Sequence, residues 1–507
     1  MKIFKKPMFL MLLLSSVLLL ASCNISFYGQ EPCDQDHTIP NWITDESYES
    51  DEYERQYRIC IYCSTVLEEK FVLKDLTSDF DFQLMSDKTY SVKSYLGEKK
   101  DVVIPSEYEG IPVTHIGNGF FGSDIESVTI PDSVVTIGDN AFNSCSSLKS
   151  ITIPSSVSKI GFRAFSDCTS LKSITIPDGV KNIDYGTFYG CTSLESVTLS
   201  NSLTCIPFDT FSNCTSLKNI SIPDSVTTIG DYAFEDCTSL KSIIIPDSVT
   251  SIGNFAFKDC TSLETITLPF ANGFHMLFGE NYSDVPETLM NVVITGGDEI
   301  PDYTFQTCQF IESITIPDSV KRIGISAFVQ CTSLTEITIP NSVEIIDFFA
   351  FYGCTSLTEI TIPDSVTYLG PSVFRECKSL SSITLSKNIK SIGDSAFFDC
   401  LSLTEIVIPE GVTKIVMYAF VNCVSLEKVT LPSTLTEINY KAFAHCESLK
   451  EIVIPASVTV IEPEVFCVIP ELTVYCEATS KPDGWYNSWN YSDTGEVITV
   501  VWGYTGE

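Results

Sequence analysis

Near the start of the chain, Cys33 and His37 are followed by the C-x2-C pair Cys60 and Cys63. Four Cys/His ligands suit a tetrahedral zinc ion. They fall in residues 24–77, a small acidic segment that makes a poor core and gains from a staple. A disulfide from Cys33 to Cys60 or Cys63 answers the same need in an exported chain. Zinc and disulfide both stand, and either role is structural. A larger set of cysteines is evenly spaced: Cys145, Cys168, Cys191, Cys214, Cys237, Cys260, Cys308, Cys331, Cys354, Cys377, Cys400, Cys423 and Cys446. Stacked side chains at the inter-strand distance sit too far apart for a bridge, which needs Cβ atoms near 3.8 Å. These thiols therefore read as small buried hydrophobes. Cys467 and Cys476, further on, are a candidate pair. Catalytic chemistry has little to work with. The four histidines, His37, His115, His275 and His445, are scattered, and no G-x-S-x-G, H-E-x-x-H or phosphate-binding glycine loop is present. No catalytic residue is expected, and a glycan-active enzyme stands as the weakest reading.

The elements that position these residues begin with a targeting segment. Lys2, Lys5 and Lys6 precede an apolar run from Phe9 to Leu20, too short for a comfortable membrane span. Leu20-Ala21-Ser22-Cys23 resembles a bacterial lipobox, which makes residues 1–23 a lipoprotein signal peptide and Cys23 the lipidated residue. Asn24 after it lacks the retention signal of an aspartate, so the expected location is exported and lipid-anchored, in the outer membrane or on the cell surface. Acyl chains would be the whole membrane contact. The net charge of −35, from 65 acidic and 30 basic residues, repels phosphate backbones and excludes nucleic acid as a partner.

From residue 125 the chain repeats. Units start at Ile125, Leu148, Leu171, Leu194, Leu217, Leu240 and Leu263, and again at Ile311, Leu334, Leu357, Leu380, Leu403, Leu426 and Leu449, always 23 residues apart. One aberrant unit, at 263–310, lies between the two blocks. In a typical unit, Leu171-Lys-Ser-Ile174-Thr-Ile176 alternates as a strand with one buried face. Pro177 ends it, Val180 and Ile183 make a second short extended stretch, and Phe188 with Cys191 mark a turn or short helix. No unit can bury six apolar side chains alone, so the units must stack as a solenoid. Fifteen of them at about 4.8 Å give an arc about 70 Å long.

The unit resembles that of the BspA-like leucine-rich-repeat surface proteins, Leu-x-x-Ile-x-Ile-Pro-x-x-Val-x-x-Ile-Gly-x-x-Ala-Phe-x-x-Cys, over the solenoid at 125–470. Residues 78–124, with Val103-Ile104-Pro105 and Ile116-Gly117, resemble its N-terminal cap; residues 471–507, with Trp485, Trp489 and Trp502, resemble its C-terminal cap. The Cys33, His37, Cys60, Cys63 set is similar to small modules found beside such repeats. The resemblance implies a cell-surface adhesin or protein-interaction scaffold that meets host matrix proteins, cell-surface proteins or glycans. A structural cell-envelope scaffold without a specific ligand is the alternative.

Two outward columns are candidates for that contact. The residue between the two isoleucines is mostly threonine, as at Thr152, Thr175 and Thr198, which strand propensity alone explains and a polar binding face also uses. The residue two before it changes from serine to glutamate at Glu336, Glu359 and Glu405, moving negative charge to the C-terminal half. In the aberrant unit Phe274 and Phe278 either fill the core around a changed loop or form a binding protrusion.

Overall fold

The alternation in the repeat is realised coil by coil. In Leu171-Lys-Ser-Ile174-Thr-Ile176 the three apolar side chains are buried while Ser173 and Thr175 face water. Ser173–Thr175 is the first strand of the coil and Asn182–Ile183 the second, separated by Pro177, which has no N–H to extend the ladder. Each strand pairs in parallel with its counterpart one coil on. Ser173, Ile174 and Thr175 lie beside Ser196, Val197 and Thr198, and Lys159 and Ile160 lie beside Asn182 and Ile183. Two narrow parallel ladders result, and like residues stack on like residues along each.

The computed structural model describes residues 77–469, 471–490 and 498–506, together with the backbone of Ile43–Thr44, Tyr53–Ile59 and Val66–Leu73. The chain divides into two compact units, Met1–Leu76 and Thr77–Glu507. In the first, the three strands just named form an antiparallel sheet with Tyr53–Ile59 in the middle. Cys23, Cys33, His37, Cys60 and Cys63 lie outside the described residues.

The third side of each coil is a turn, where the sequence left a turn or a short helix open. Arg163 and Asp167 take the left-handed conformation at φ 48° and 58°, on either side of Phe165. Such a backbone costs about 1–2 kcal/mol at a non-glycine residue. Hydrogen bonds to the next coil offset it: the N–H groups of Arg163, Phe165 and Asp167 donate to the carbonyls of Tyr185, Thr187 and Tyr189 at 3.0, 2.9 and 2.7 Å. The turn thus aims one phenylalanine per coil inward. Phe142, Phe165, Phe188, Phe211, Phe234 and Phe257 stack with centroids 5.4–5.6 Å apart and nearly parallel planes.

Beside this stack runs the thiol column. Apart from Cys308, which follows the irregular coil, each Sγ of the column donates to a phenylalanine carbonyl of the coil before, Cys168 to Phe142 at 3.2 Å and Cys191 to Phe165 at 3.1 Å. The thirteen cysteines of this column, Cys145 to Cys446 without Cys205, are buried free thiols, as small hydrophobes should be. Cys467 and Cys476, the candidate pair, fall in different clusters. Cys476 is a free thiol in the main core, whereas Cys467 packs with Val421 and Ala444 in a separate cluster at the turns.

The aberrant unit keeps the first ladder and loses the second strand. Thr265–Leu268, Asn291–Ile294 and Ser313–Thr315 pair in order, while the second ladder stops at Ser251–Ile252 and resumes at Glu299–Ile300. A 3-10 turn, Phe274–Leu277, stands in its place. Its carbonyls at Met276 and Leu277 accept the N–H groups of Phe255 and Phe257, so the turn ladder of the preceding coils reaches this one.

Both ends of the second unit extend the ladders. Asp101–Val103 pairs with Ser127–Thr129, and Ile111–Ile116 with Thr136–Ile137. The hairpin Phe80–Leu84 and Tyr90–Tyr95 closes that end, packing Phe80 and Tyr95 against Phe120. At the other end Thr473–Cys476 and Thr499–Trp502 add two strands, and Trp489 covers Phe466 with a centroid distance of 6.2 Å. Capping with rings keeps water from the last exposed layer of core.

Candidate binding surfaces

Because both ladders satisfy their backbone groups internally, only side chains are free to contact a partner on the strand face. Thr152, Thr175 and Thr198 are exposed there, each in register with its neighbours. Glu336, Glu359 and Glu405 are exposed on the same ladder further on. The face is therefore a strip of hydroxyls in one half and of carboxylates and hydroxyls in the other.

The two halves differ in how their charge is balanced. In the N-terminal half, lysines and glutamates one coil apart pair with each other, as in Lys149–Glu126 at 2.5 Å, Lys218–Glu195 at 2.7 Å and Lys241–Glu264 at 2.8 Å. The same column in the C-terminal half holds Thr335, Thr358, Ser381 and Thr404, and the hydroxyls of the last three donate to the carbonyl one coil back. Among the described residues Glu336, Glu359 and Glu405 make no ion pair. The charges of Glu336 and Glu359 are uncompensated, whereas Lys428 stands beside Glu405 in register.

Two grooves open on this face. One, of about 490 Å³, is lined by Glu336, Thr338, Asn341, Glu359, Thr361 and Thr384. It brings Glu336 and Glu359 together. The ladder loosens at the same place, since Glu336 joins it through a single bridge to Ser313; like charges in register on neighbouring strands weaken pairing. The other groove, of about 670 Å³, lies around Ile244, which replaces the usual threonine and is 68% exposed. Asp247 and Thr295 edge it, joined by a 2.6 Å hydrogen bond from the threonine hydroxyl. That bond reaches from a regular coil to the aberrant one.

Phe274 and Phe278 do not form a protrusion. Both are 1% exposed and lie in the main core. Phe278 meets Phe257 at 6.4 Å and Phe274 meets Phe305 at 4.7 Å, so the two rings carry the phenylalanine stack through the irregular coil. The lost strand leaves a gap that a single ring would not fill.

Chemistry elsewhere is sparse. Burial pushes the thiols of Cys191, Cys308 and Cys354 up to about 12, which keeps them protonated and unreactive. His275 stacks on Tyr282, and burial lowers its affinity for a proton. Glu235, Asp236 and Asp259 bring carboxylate oxygens within 4.8 Å of one another, but Lys258 already binds Glu235 and Asp259, at 2.6 and 3.5 Å.

Two features lay outside the sequence reading. Arg322 ties the aberrant coil to its successors by contacting Glu299 at 3.1 Å, Asp302 at 2.6 Å and Asp347 at 3.0 Å. Burial works against its charge, and the three carboxylates more than offset that. The turns also carry exposed aromatic residues two or three positions before the core phenylalanine, among them Phe162, Tyr185 and Phe208. The signal was present as a fixed place in the repeat, but the reading followed only the strand columns.

The family described as BspA type leucine rich repeat region matches in six copies, over residues 114–238, 204–275, 298–423 and 391–476. No curated protein matches the chain. Among solved structures, a leucine-rich cell surface protein from Faecalibacterium prausnitzii is 31% identical, with 73% of this chain and 92% of that one covered and a TM-score of 0.36. A leucine-rich repeat protein from Bacteroides ovatus is 28% identical, covering 75% and 94%, with a TM-score of 0.39. One from Eubacterium ventriosum is 25% identical, covering 77% and 93%, with a TM-score of 0.31. Among the described residues no helix is long and apolar enough to cross a membrane. With its 23-residue coils, paired parallel ladders and stacked phenylalanines, and with the family's repeat matched over most of its length, this chain belongs to the BspA type leucine-rich repeat family.

Proposed function

We propose that the protein is a non-enzymatic adhesin displayed on the cell surface, which binds host matrix proteins, cell-surface proteins or glycans through its strand face. The observation that carries this reading is the groove in which Glu336 and Glu359 face solvent without a counter-charge, ringed by the hydroxyls of Thr338, Thr361 and Thr384. Exposed unpaired carboxylates cost little in water and become useful when a partner brings donors or cations to them. Hydroxyls around them supply both donors and acceptors without bulk. Thr152, Thr175 and Thr198 extend the same strip into the N-terminal half. In this reading Cys23 carries the lipid that fixes the chain to the outer membrane or cell surface, and Cys33, His37, Cys60 and Cys63 hold a structural zinc or a disulfide near the anchor.

The test is binding of the purified protein to a panel of matrix proteins and glycans at physiological salt. Saturable binding that weakens at least about fivefold in Glu336→Gln/Glu359→Gln supports the reading, since losing hydrogen bonds to charged groups costs about 1–3 kcal/mol. A folded protein that binds nothing on the panel supports the envelope-scaffold alternative instead. Elemental analysis decides the anchor-proximal site separately: about one zinc per chain is expected, and a metal-free protein with fewer free thiols points to the disulfide.

A further inference from the structure

The turn edge carries a row of aromatic rings that the core does not need. Phe162, Tyr185, Phe208, Tyr232 and Phe255 come from five consecutive coils, each of which already buries its own phenylalanine between Phe165 and Phe257. Along the row, centroids are 6.4 Å apart from Tyr185 to Phe208, 5.6 Å from Phe208 to Tyr232 and 5.2 Å from Tyr232 to Phe255. Tyr185 is 57% exposed. Single exposed rings are ordinary, but four in ring-to-ring contact from Tyr185 to Phe255, exposed or half-buried, mark a contact surface.

What the row binds is suggested by what it already holds. The guanidinium of Arg163 sits 5.4 Å from the Phe162 centroid and 5.2 Å from that of Tyr189. Further along the same edge Arg375 lies 4.3 Å from Phe398, and Lys441 5.4 Å from Tyr440. The chain's own cations thus rest on turn-edge rings, as the quadrupole of an aromatic face favours. Among the described residues, no cation lies over Tyr185, Phe208, Tyr232 or Phe255.

Carboxylates are interleaved with these rings. Asp184 and Asp231 each accept a backbone N–H, from Tyr185 at 2.7 Å and from Asn254 at 2.8 Å. Asp209 is half-buried and accepts no hydrogen bond to its carboxylate among the described residues. Burial and the nearby Glu235 push its carboxyl up, and Arg163 only partly opposes them, a condition that a docked cation would relieve further. A second copy of a chain with net charge −35 would bring the wrong sign to this edge.

We propose that the row from Phe162 to Phe255 is a second interaction surface, which takes an extended peptide segment of a partner protein carrying arginine or lysine at alternate positions. In a β-extended chain, alternate side chains lie on one face about 6.4–6.8 Å apart, close to the 5.2–6.4 Å between the rings. Each cation would sit over a ring with an aspartate beside it. This surface lies on the turns and uses none of the strand-face residues, so it stands or falls separately from the adhesin reading.

The experiment is a fluorescence-anisotropy titration of the purified full chain with a labelled peptide of six Arg-Ser repeats at physiological ionic strength. Saturable binding is expected, with no binding of the Glu-Ser counterpart. Tyr185→Ala/Phe208→Ala should weaken it at least about fivefold, and Phe208→Tyr should keep it within about twofold. Asp209→Asn, which removes a charge and no volume, should also weaken it and covers the case in which the double variant folds poorly. Absence of saturable binding, or an affinity indifferent to loss of the rings and of Asp209, overturns the proposal.

Discussion

The regular coils between Leu148 and Leu263 and the irregular coil that follows bury the same kind of interior with different residues. In the regular coils one phenylalanine per 23 residues, held by a turn with two left-handed positions, continues the ring stack. In the irregular coil the second strand and the cysteine are gone, and Phe274 and Phe278 together occupy the space. The difference teaches that the interior demands a filled aromatic layer and not a particular sequence for it. Positions the interior leaves unconstrained lie on the strand face and on the turn edge, and these are the two surfaces proposed for partners.

Alkaline pH should strain the regular coils most. Their thiols have an ordinary value of 9.0 and are pushed up to about 12 at Cys191, Cys308 and Cys354. The folded state therefore holds its protons more tightly than the unfolded one. That contribution is complete below pH 9 and is lost as pH rises toward 12, by up to about 1.4 kcal/mol per thiol for each pH unit. Denaturant titrations from pH 8 to 11 should show a steady fall in stability, and a flat profile would mean that the thiols are not held protonated in the core. At pH 8 the same thiols should resist a disulfide reagent until the chain unfolds.

Removing a ring tests the two regions against each other. Phe328→Ala in a regular coil should cost about 3–5 kcal/mol. Phe274→Ala should cost as much, because it too is buried between rings. A cost below about 1 kcal/mol at Phe274 would show the irregular coil to be loosely packed, and the comparison would fail.

Smaller effects should sharpen the contrast. Arg322→Ala removes three carboxylate contacts at the junction after the irregular coil and should cost about 1–2 kcal/mol. Lys218→Ala removes the exposed pair with Glu195 in a regular coil and should leave the unfolding midpoint unchanged, since solvent screens such pairs. Equal effects at the two sites would indicate that the junction needs no special tie.

Much of this fold was legible because the repeat states its own register. Spacing by 23 fixed which residues stack, and Leu-x-x-Ile-x-Ile-Pro fixed the first strand and its end. The geometry of bridging also ruled the cysteine column out as disulfides, and the structure shows free buried thiols there. The irregular coil was harder, because a ring cluster off the template reads equally as core or as protrusion until the missing strand is seen. The left-handed positions were hidden too: they fall on Arg163, Tyr232 and Lys441 as readily as on Gly186, so residue type gave no warning. On the surface the shift from serine to glutamate pointed to Glu336 and Glu359, and the structure brings both into one groove. Arg322 escaped notice because its three partners are 20 to 25 residues away on neighbouring coils.

The central claim, that the strand face is the working surface, is met most directly by reversing its charge. Glu336→Lys/Glu359→Lys/Glu405→Lys should abolish binding to whichever matrix protein or glycan the unaltered protein holds, with the same unfolding midpoint. Full retention of binding by that folded variant would contradict the account and move the contact elsewhere on the solenoid.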